Sequence, residues 1–125
     1  MPKVLAIFSI LLIIAFGLPL LAAPTDVSGD WQLIVQTRRG EMAWAVHFDQ
    51  DGESLSVTMV GPRGNESTGT GTIKDSQIEW TITRSTPRGE MTVTYKGEVE
   101  GQTMSGQVQF GNFGSREWKA TKKQN

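Results

Sequence analysis

Arginine side chains are the groups of this chain with the clearest capacity for chemistry, because they cluster around glycine-rich turns. Guanidinium groups form paired hydrogen bonds with carboxylates and phosphates, which the ammonium group of lysine cannot match. The backbone N–H groups of glycine-rich turns can also face an anion. The arginines lie in or beside four turn segments: Arg38, Arg39, Arg63, Arg84, Arg88 and Arg116. This pattern predicts a site for an anionic group.

A candidate binding site joins some of these arginines to aromatic side chains. If the arginine-bearing turns form one open end of the fold, arginines would rim that opening and aromatic rings would form apolar walls beneath it. The expected ligand is a small anionic or amphipathic molecule. An alternative is that the arginines and glycines are turn and rim residues, with each glutamate paired to a neighbouring arginine across the turn, an exposed contact that contributes about 0–1 kcal/mol. The predicted ligand-binding residues are Arg39, Arg88, Arg116, Trp44, Trp80 and Tyr95.

Catalytic and metal-binding groups are poorly represented among the remaining residues. The chain has one histidine, His47, and no cysteine, so it offers neither a histidine cluster nor a thiolate for a metal or a nucleophile. Asp49 and Asp51 precede Gly52 as at the start of a calcium-binding loop, but the glutamate that ends such loops is missing. We therefore predict no metal, no cofactor and no enzymatic activity.

The first 23 residues are typical of a secretory signal peptide. Lys3 supplies a positive charge, residues 4–21 are almost wholly apolar, and small residues follow at Ala22 and Ala23. This order predicts a signal peptide over residues 1–23, a single domain over residues 24–125, and a periplasmic or extracellular location. The alternative is an uncleaved membrane anchor, because an apolar run of roughly 18–20 residues can span a bilayer.

Apolar and polar residues alternate from residue 24 onward, which is typical of β-strands. No segment of about 11 residues has helical periodicity. Short connections predict antiparallel neighbours, and a meander of eight strands closes best as an up-and-down barrel. The predicted strands are Asp30–Thr37, Glu41–Phe48, Ser54–Val60, Ser67–Lys74, Gln77–Arg84, Glu90–Glu98, Thr103–Phe110 and Glu117–Lys122.

The sequence also repeats itself at an offset of 49 residues. Trp31–Met42 returns as Trp80–Met91, and the turn Arg39–Glu41 returns as Arg88–Glu90. Such a repeat predicts an all-β fold built from two similar four-strand halves. The two Arg-Gly-Glu turns would then lie at the same end, half a barrel apart. They are either a matched pair of stabilising hairpins or two sides of one binding mouth.

Charge is distributed unevenly along the mature sequence. The arginine-bearing turns have six arginines against four glutamates, whereas the rest of residues 24–125 has five lysines against nine acids. The excess positive charge at the turns is much smaller than the strongly basic face that binds nucleic acid. We therefore predict no nucleic-acid partner, and contact with a membrane only through the signal segment if it is not cleaved.

Two resemblances accompany this pattern. Gly29–Trp31, at the start of the first strand, resembles the Gly-x-Trp opening of lipocalins and the similar opening of avidins. That resemblance implies an eight-stranded barrel in which the tryptophan closes one end. The segments Asp51–Leu55, Val60–Gly64, Glu98–Gly106 and Arg116–Ala120 are similar to poorly characterised bacterial exported β-domains. This second resemblance implies export and a small barrel, and it implies no activity.

Two classes of function follow from these expectations. The first is an exported, non-enzymatic barrel that binds a small anionic or amphipathic ligand at its arginine-rimmed end. The alternative is a structural or interaction module with a filled core, which docks to a partner through exposed loop residues such as Phe113. A cavity of roughly 300 Å³ or more that opens at the arginine end would favour the first class. A solid interior would rule out binding in such a cavity and favour the second.

Overall fold

The chain forms a closed antiparallel β-barrel in a computed structural model that describes residues 25–124. Each strand pairs with its neighbours in the chain, and the last strand pairs with the first. The predicted eight-stranded up-and-down barrel is confirmed, whereas the predicted signal peptide lies outside the described residues. The strands are β1 (Gly29–Thr37), β2 (Gly40–Asp51), β3 (Ser54–Val60), β4 (Glu66–Lys74), β5 (Gln77–Thr86), β6 (Gly89–Glu100), β7 (Thr103–Phe110) and β8 (Ser115–Lys122).

Strand alternation fills the inside of the barrel with apolar side chains. In β5, for example, Ile78, Trp80 and Ile82 are buried, while the residues between them are more exposed. Every strand contributes to the same cluster, and no polar or charged residue in residues 25–124 is buried. Burial of this apolar surface is the main force that stabilises a domain without disulfides.

Trp80 lies at the centre of an aromatic group inside this core. Its ring stacks on Tyr95 at a centroid distance of 4.7 Å and meets Phe48 and Trp118 edge-on at 5.1 and 5.3 Å. Offset-stacked and edge-to-face pairs at these distances are favourable beyond their buried area. The aromatic group therefore ties β2, β5, β6 and β8 together across the barrel interior.

Two glycines on β6 and β7 allow close packing beside Trp118 and between the two strands. Gly97 and Gly106 are partners in the β6–β7 ladder, and Gly106 is also the partner of Trp118 on β8. A Cβ at Gly97 would lie 2.7 Å from Cζ2 of Trp118. A Cβ at Gly106 would lie 1.8 Å from the backbone oxygen of Lys96. Neither position has space for a side chain, because Gly97 lies against the Trp118 ring and Gly106 lies against the backbone of β6.

One end of the barrel is covered by the segment that precedes β1. Val27 is fully buried, and its carbonyl oxygen accepts a hydrogen bond of 2.9 Å from Nε1 of Trp31. The side chain of Gln50 accepts a bond from the Val27 N–H and donates to the Thr25 carbonyl. We call this the closed end. It agrees with the expectation that a tryptophan at the start of β1 closes the barrel.

The two repeats have the same turn geometry at the other end. In the β1–β2 turn, the hydroxyl of Thr37 donates to the Gly40 carbonyl at 2.7 Å, and Gly40 has a φ of 109°. In the β5–β6 turn, the hydroxyl of Thr86 donates to the Gly89 carbonyl at 2.6 Å, and Gly89 has a φ of 110°. These φ values lie in the region that favours glycine. The repeat in sequence is therefore a repeat in structure.

Strand pairing between the two repeats is shorter than pairing within them. The β1–β8 ladder has five pairs and ends at Val35 with Trp118, and the β4–β5 ladder has six pairs and ends at Gly69 with Ile82. The other ladders have seven to ten pairs. Both short ladders stop before the end opposite the closed end. β8 and β1 therefore run on for a few residues there without pairing to each other, and so do β4 and β5. The ladders of β2 with β3 and of β6 with β7 also stop short of this end. We call the unpaired stretch between β8 and β1 the β8–β1 opening.

Candidate functional site

The end opposite the closed end holds all the arginines, and we call it the arginine end. Its connections are residues 38–39, 61–65, 87–88 and 111–114. The alternation that buries Ile82 and Trp118 places Arg84 and Arg116 on the inner face of their strands. The nearby glutamates occupy outer-face positions and are exposed. The outer-face acids are Glu41, Glu66, Glu90 and Glu117. The inner face of this end is therefore cationic.

Arginine–glutamate pairs do not account for this arrangement. Within residues 25–124, no arginine has a carboxylate within the 4.0 Å of an ion pair. Glu41 instead accepts a hydrogen bond of 2.8 Å from Nε2 of Gln36. The expectation that each glutamate pairs with a neighbouring arginine is therefore wrong for the described part of the chain, and the guanidinium groups remain available to an external anion.

A cleft lies on the rim of the arginine end, at the β8–β1 opening. Its volume is about 460 Å³. Arg38 and Arg116 supply its positive charge, and Phe110 and Phe113 supply apolar surface. Phe113 is 79 % exposed. The lining has no acidic residue and is completed by Thr37, Gly114 and Ser115. We call this the rim cleft.

A second cleft lies on the outer wall along the same opening, and its charge is different. It has a volume of about 210 Å³ and is lined by Glu41 and Glu117 as well as Lys119. Two carboxylates beside one ammonium group make this cleft unfavourable for an anion. Of the two clefts at the β8–β1 opening, the rim cleft is thus the one suited to an anionic group.

Arg84 occupies the inner side of the arginine end, away from any acidic partner. Its Cζ atom lies 4.5 Å from the centre of the Trp44 ring, in the geometry of a cation–π contact. Its Nε atom is buried and has no hydrogen-bond partner among the described residues. Burial raises the pKa of Tyr95 to about 12, and the positive charge of Arg84 acts in the opposite direction. Arg84 is therefore a charge placed at the mouth of an apolar barrel.

The predicted ligand-binding residues are found at three different depths. Arg39 and Arg88 are exposed at the tips of the two repeated turns, and Arg116 lines the rim cleft. Trp44 lies beneath Arg84. Trp80 and Tyr95 are packed against each other in the filled core, so they form no wall of the rim cleft.

Three residues that contribute to the arginine end are absent from the predicted ligand-binding residues, although Arg38 and Arg84 were among the arginines expected at that end. Arg38 and Phe110 line the rim cleft, and Arg84 faces inward. Arg84 was recognisable in principle, because it continues the inward alternation of Ile78, Trp80 and Ile82. No signal in the sequence distinguishes Arg38 from the other arginines or marks Phe110, since the rim cleft depends on where the β1–β8 ladder stops.

His47 lies on the outer surface, as its position in the alternation predicts. Its ring hydrogen-bonds to Asp30 at 2.8 Å and approaches Asp49 at 3.4 Å. No group of three or more possible metal ligands occurs within residues 25–124. No helix in that same range is long and apolar enough to cross a membrane.

The pKa of His47 is expected to lie above its ordinary value, chiefly because Asp30 hydrogen-bonds to the ring and stabilises the charged form. The resulting stability is fully present below the ordinary pKa of about 6.5 and is lost as the pH rises through the raised value. Since the pair is exposed, its contribution should stay below about 1 kcal/mol. Titration of the His47 ring by NMR measures the shift. Asp30→Asn should bring the pKa of His47 most of the way back to its ordinary value. An unchanged pKa in that variant would contradict the assignment.

Comparison with protein-family models and with curated proteins gives no match to this chain. Its function is therefore inferred from the fold and from the geometry of the arginine end.

Proposed function

We propose that this protein is an exported, non-enzymatic β-barrel that binds a small anionic or amphipathic molecule at its arginine end. The observation that carries the proposal is the composition of the rim cleft. Arg38 and Arg116 lie there beside Phe110 and Phe113, with no carboxylate in the lining. Export is inferred from the order of charged, apolar and small residues in residues 1–23.

The chemistry of the rim cleft suits a ligand that has both a charged and an apolar part. A carboxylate or phosphate accepts hydrogen bonds from the guanidinium groups of Arg38 and Arg116. An apolar part of the same molecule covers Phe113, whose ring is otherwise in water. The cleft has a volume of about 460 Å³ and is open to solvent, so a ligand would lie against it without being enclosed.

The filled interior limits where such a ligand lies. Trp80, Tyr95 and their neighbours occupy the centre of the barrel. A ligand therefore rests across the rim instead of entering a deep cup. This arrangement separates the two tasks of the molecule, because the core provides stability and the arginine end provides recognition.

Binding of dodecanoate tests the proposal, because this anion combines a carboxylate with an alkyl chain. Removal of both cleft cations in Arg38→Ala with Arg116→Ala is expected to weaken binding at least about tenfold. Each charge-assisted hydrogen bond contributes about 1.5–3 kcal/mol, and about 1.4 kcal/mol corresponds to a factor of ten. The dissociation constant is measured by titration calorimetry below the concentration at which dodecanoate forms micelles.

Arg63→Ala is the matched control for this titration. Arg63 is an exposed arginine of the same end that does not line the rim cleft, so its removal should change the affinity little. Dodecyltrimethylammonium, which has a similar chain and a positive charge, should not bind. Equal affinity of the double variant and the native protein would contradict the proposal.

A structural or interaction module remains the second candidate. The observation that favours it is the filled interior, in which the buried residues form one apolar cluster. In this case the exposed ring of Phe113 docks to a partner protein or polysaccharide of the cell envelope. Absence of binding to dodecanoate, together with normal folding, would support this second function.

A further inference from the structure

Arg84 is the feature of the molecule that the proposed function does not use. It stands on the inner face of β5, directly beyond the buried residues Trp80 and Ile82. The equivalent position of the first repeat, 49 residues earlier, is occupied by the buried apolar residue Val35. An apolar residue thus fits this place in the architecture. The presence of arginine at this position of the second repeat therefore needs another explanation.

The surroundings of Arg84 leave its hydrogen-bonding capacity unused. A guanidinium group has five N–H donors and no acceptor. Within residues 25–124, Nε of Arg84 is buried without a partner, and no carboxylate lies within ion-pair distance of the side chain. Buried donors are nearly always satisfied in proteins. Nε1 of Trp80 and Nε1 of Trp118 are also buried without a partner among the described residues, but only Arg84 carries a charge. A polar group from outside the barrel would supply the missing acceptor.

Trp44 holds the guanidinium group in a defined place. At 4.5 Å between Cζ of Arg84 and the ring centre, the aromatic face of Trp44 stabilises the positive charge. A guanidinium group above an aromatic face keeps the edge of its own plane free to donate hydrogen bonds. That edge matches the two oxygens of a carboxylate or phosphate. Arg84 is only partly buried, so part of its guanidinium group can be reached from solvent.

We propose that Arg84 is a binding site for an oxyanion group, a carboxylate or a phosphate, which it holds at the inner side of the arginine end against Trp44. The site is distinct from the rim cleft, whose lining does not include Arg84 or Trp44. It can therefore be occupied by a small anion whether or not the rim cleft binds an amphiphile.

Titration of the isotopically labelled protein with benzoate and with inorganic phosphate tests this site. The Nε–Hε signal of Arg84 and the indole N–H signal of Trp44 are expected to shift together and to saturate. Chloride at equal ionic strength should give no saturable shift. Saturation at lower concentration by benzoate indicates a carboxylate ligand, and saturation at lower concentration by phosphate indicates a phosphate ligand. Absence of saturation by both anions would overturn the proposal.

Two substitutions separate an anion site from a purely structural role of Arg84. Arg84→Met keeps a long side chain over Trp44 and removes the charge, so it should abolish the anion-dependent shift of Trp44 and the anion-dependent rise in Tm. Arg84→Lys keeps the charge and loses the planar fork, so it should weaken anion binding at least about tenfold. If Arg84 served only to cover Trp44, both variants would retain the anion response of Trp44. That result would overturn the proposal.

Control variants keep this test independent of the rim cleft. Arg63→Met removes an exposed cation of the same end and should leave the response of Trp44 to benzoate unchanged. Arg38→Ala with Arg116→Ala should alter that response by no more than about threefold, because exposed charges are screened at physiological salt. Loss of the response in the Arg38/Arg116 variant would contradict a separate site at Arg84.

Discussion

Replacement of Trp80 by alanine is expected to lower the free energy of unfolding by about 3–5 kcal/mol, the usual cost of removing a large aromatic ring from a core. Trp80 is fully buried and contacts the rings of Phe48, Tyr95 and Trp118. Its removal leaves a cavity at the place where four strands meet across the barrel. Urea denaturation, followed by far-UV circular dichroism, measures the loss.

Phe113→Ala is the control for this experiment. It also removes an aromatic ring, but Phe113 is 79 % exposed, so stability should change by no more than about 0.5 kcal/mol. A Trp80→Ala protein that unfolds at the same urea concentration as the native protein would show that the interior is not packed as described.

The second large effect is expected at Gly106, where alanine should destabilise the barrel by about 3 kcal/mol or prevent it from closing. The added Cβ would lie 1.8 Å from the backbone oxygen of Lys96, and backbone atoms cannot move aside as a flexible side chain can. Overpacking of this kind typically costs about 1–3 kcal/mol, and more where the backbone must shift. Thermal unfolding and the yield of folded protein are the measurements.

Gln107→Ala provides the comparison for Gly106. Gln107 is the next residue in β7 and is exposed, so the change alters the same strand without adding atoms to a crowded place. This variant should unfold within about 0.5 kcal/mol of the native protein. If Gly106→Ala were equally stable, the close approach of β6 and β7 would be contradicted.

The fold could be predicted from the sequence because apolar and polar residues alternate clearly in every strand except β4, in which only Ile73 is buried. Buried residues at every second position of a strand indicate that one face of that strand packs against the common core. The predicted limits differ from the structure mainly in β2, which continues to Asp51 where Phe48 was expected to end it. Asp49–Asp51 remain in the strand because they pair with Ser54–Ser56 of β3. Backbone pairing there outweighs the low strand propensity of aspartate.

The closed end was predicted from a resemblance, and its structural basis lies in hydrogen bonds that no local pattern reveals. Trp31 was expected to close the barrel, as in lipocalins and avidins, and its indole does hold the segment over that end through Val27. Gln50 fixes the same segment through contacts across more than 20 residues of sequence. The eight-stranded barrel is compatible with a lipocalin-like fold.

The candidate site was only partly predictable, for a physical reason. Arginine-rich turns are visible in the sequence, and so is the end at which a meander places them. The rim cleft depends instead on where the β1–β8 ladder stops after Val35 and Trp118. Whether Trp80 and Tyr95 line a cavity depends on how completely neighbouring rings fill the interior. Both properties arise from the packing of strands that are distant in sequence.

Chemical-shift mapping with dodecanoate is the most direct test of ligand recognition at the arginine end. In spectra of the labelled protein, the largest backbone shifts are expected at the rim cleft, in Thr37, Arg38, Phe110, Phe113 and Arg116. The closed end, including Val27 and Gln50, should remain unaffected. Shifts concentrated at the closed end, or an absence of saturable shifts anywhere, would contradict the account.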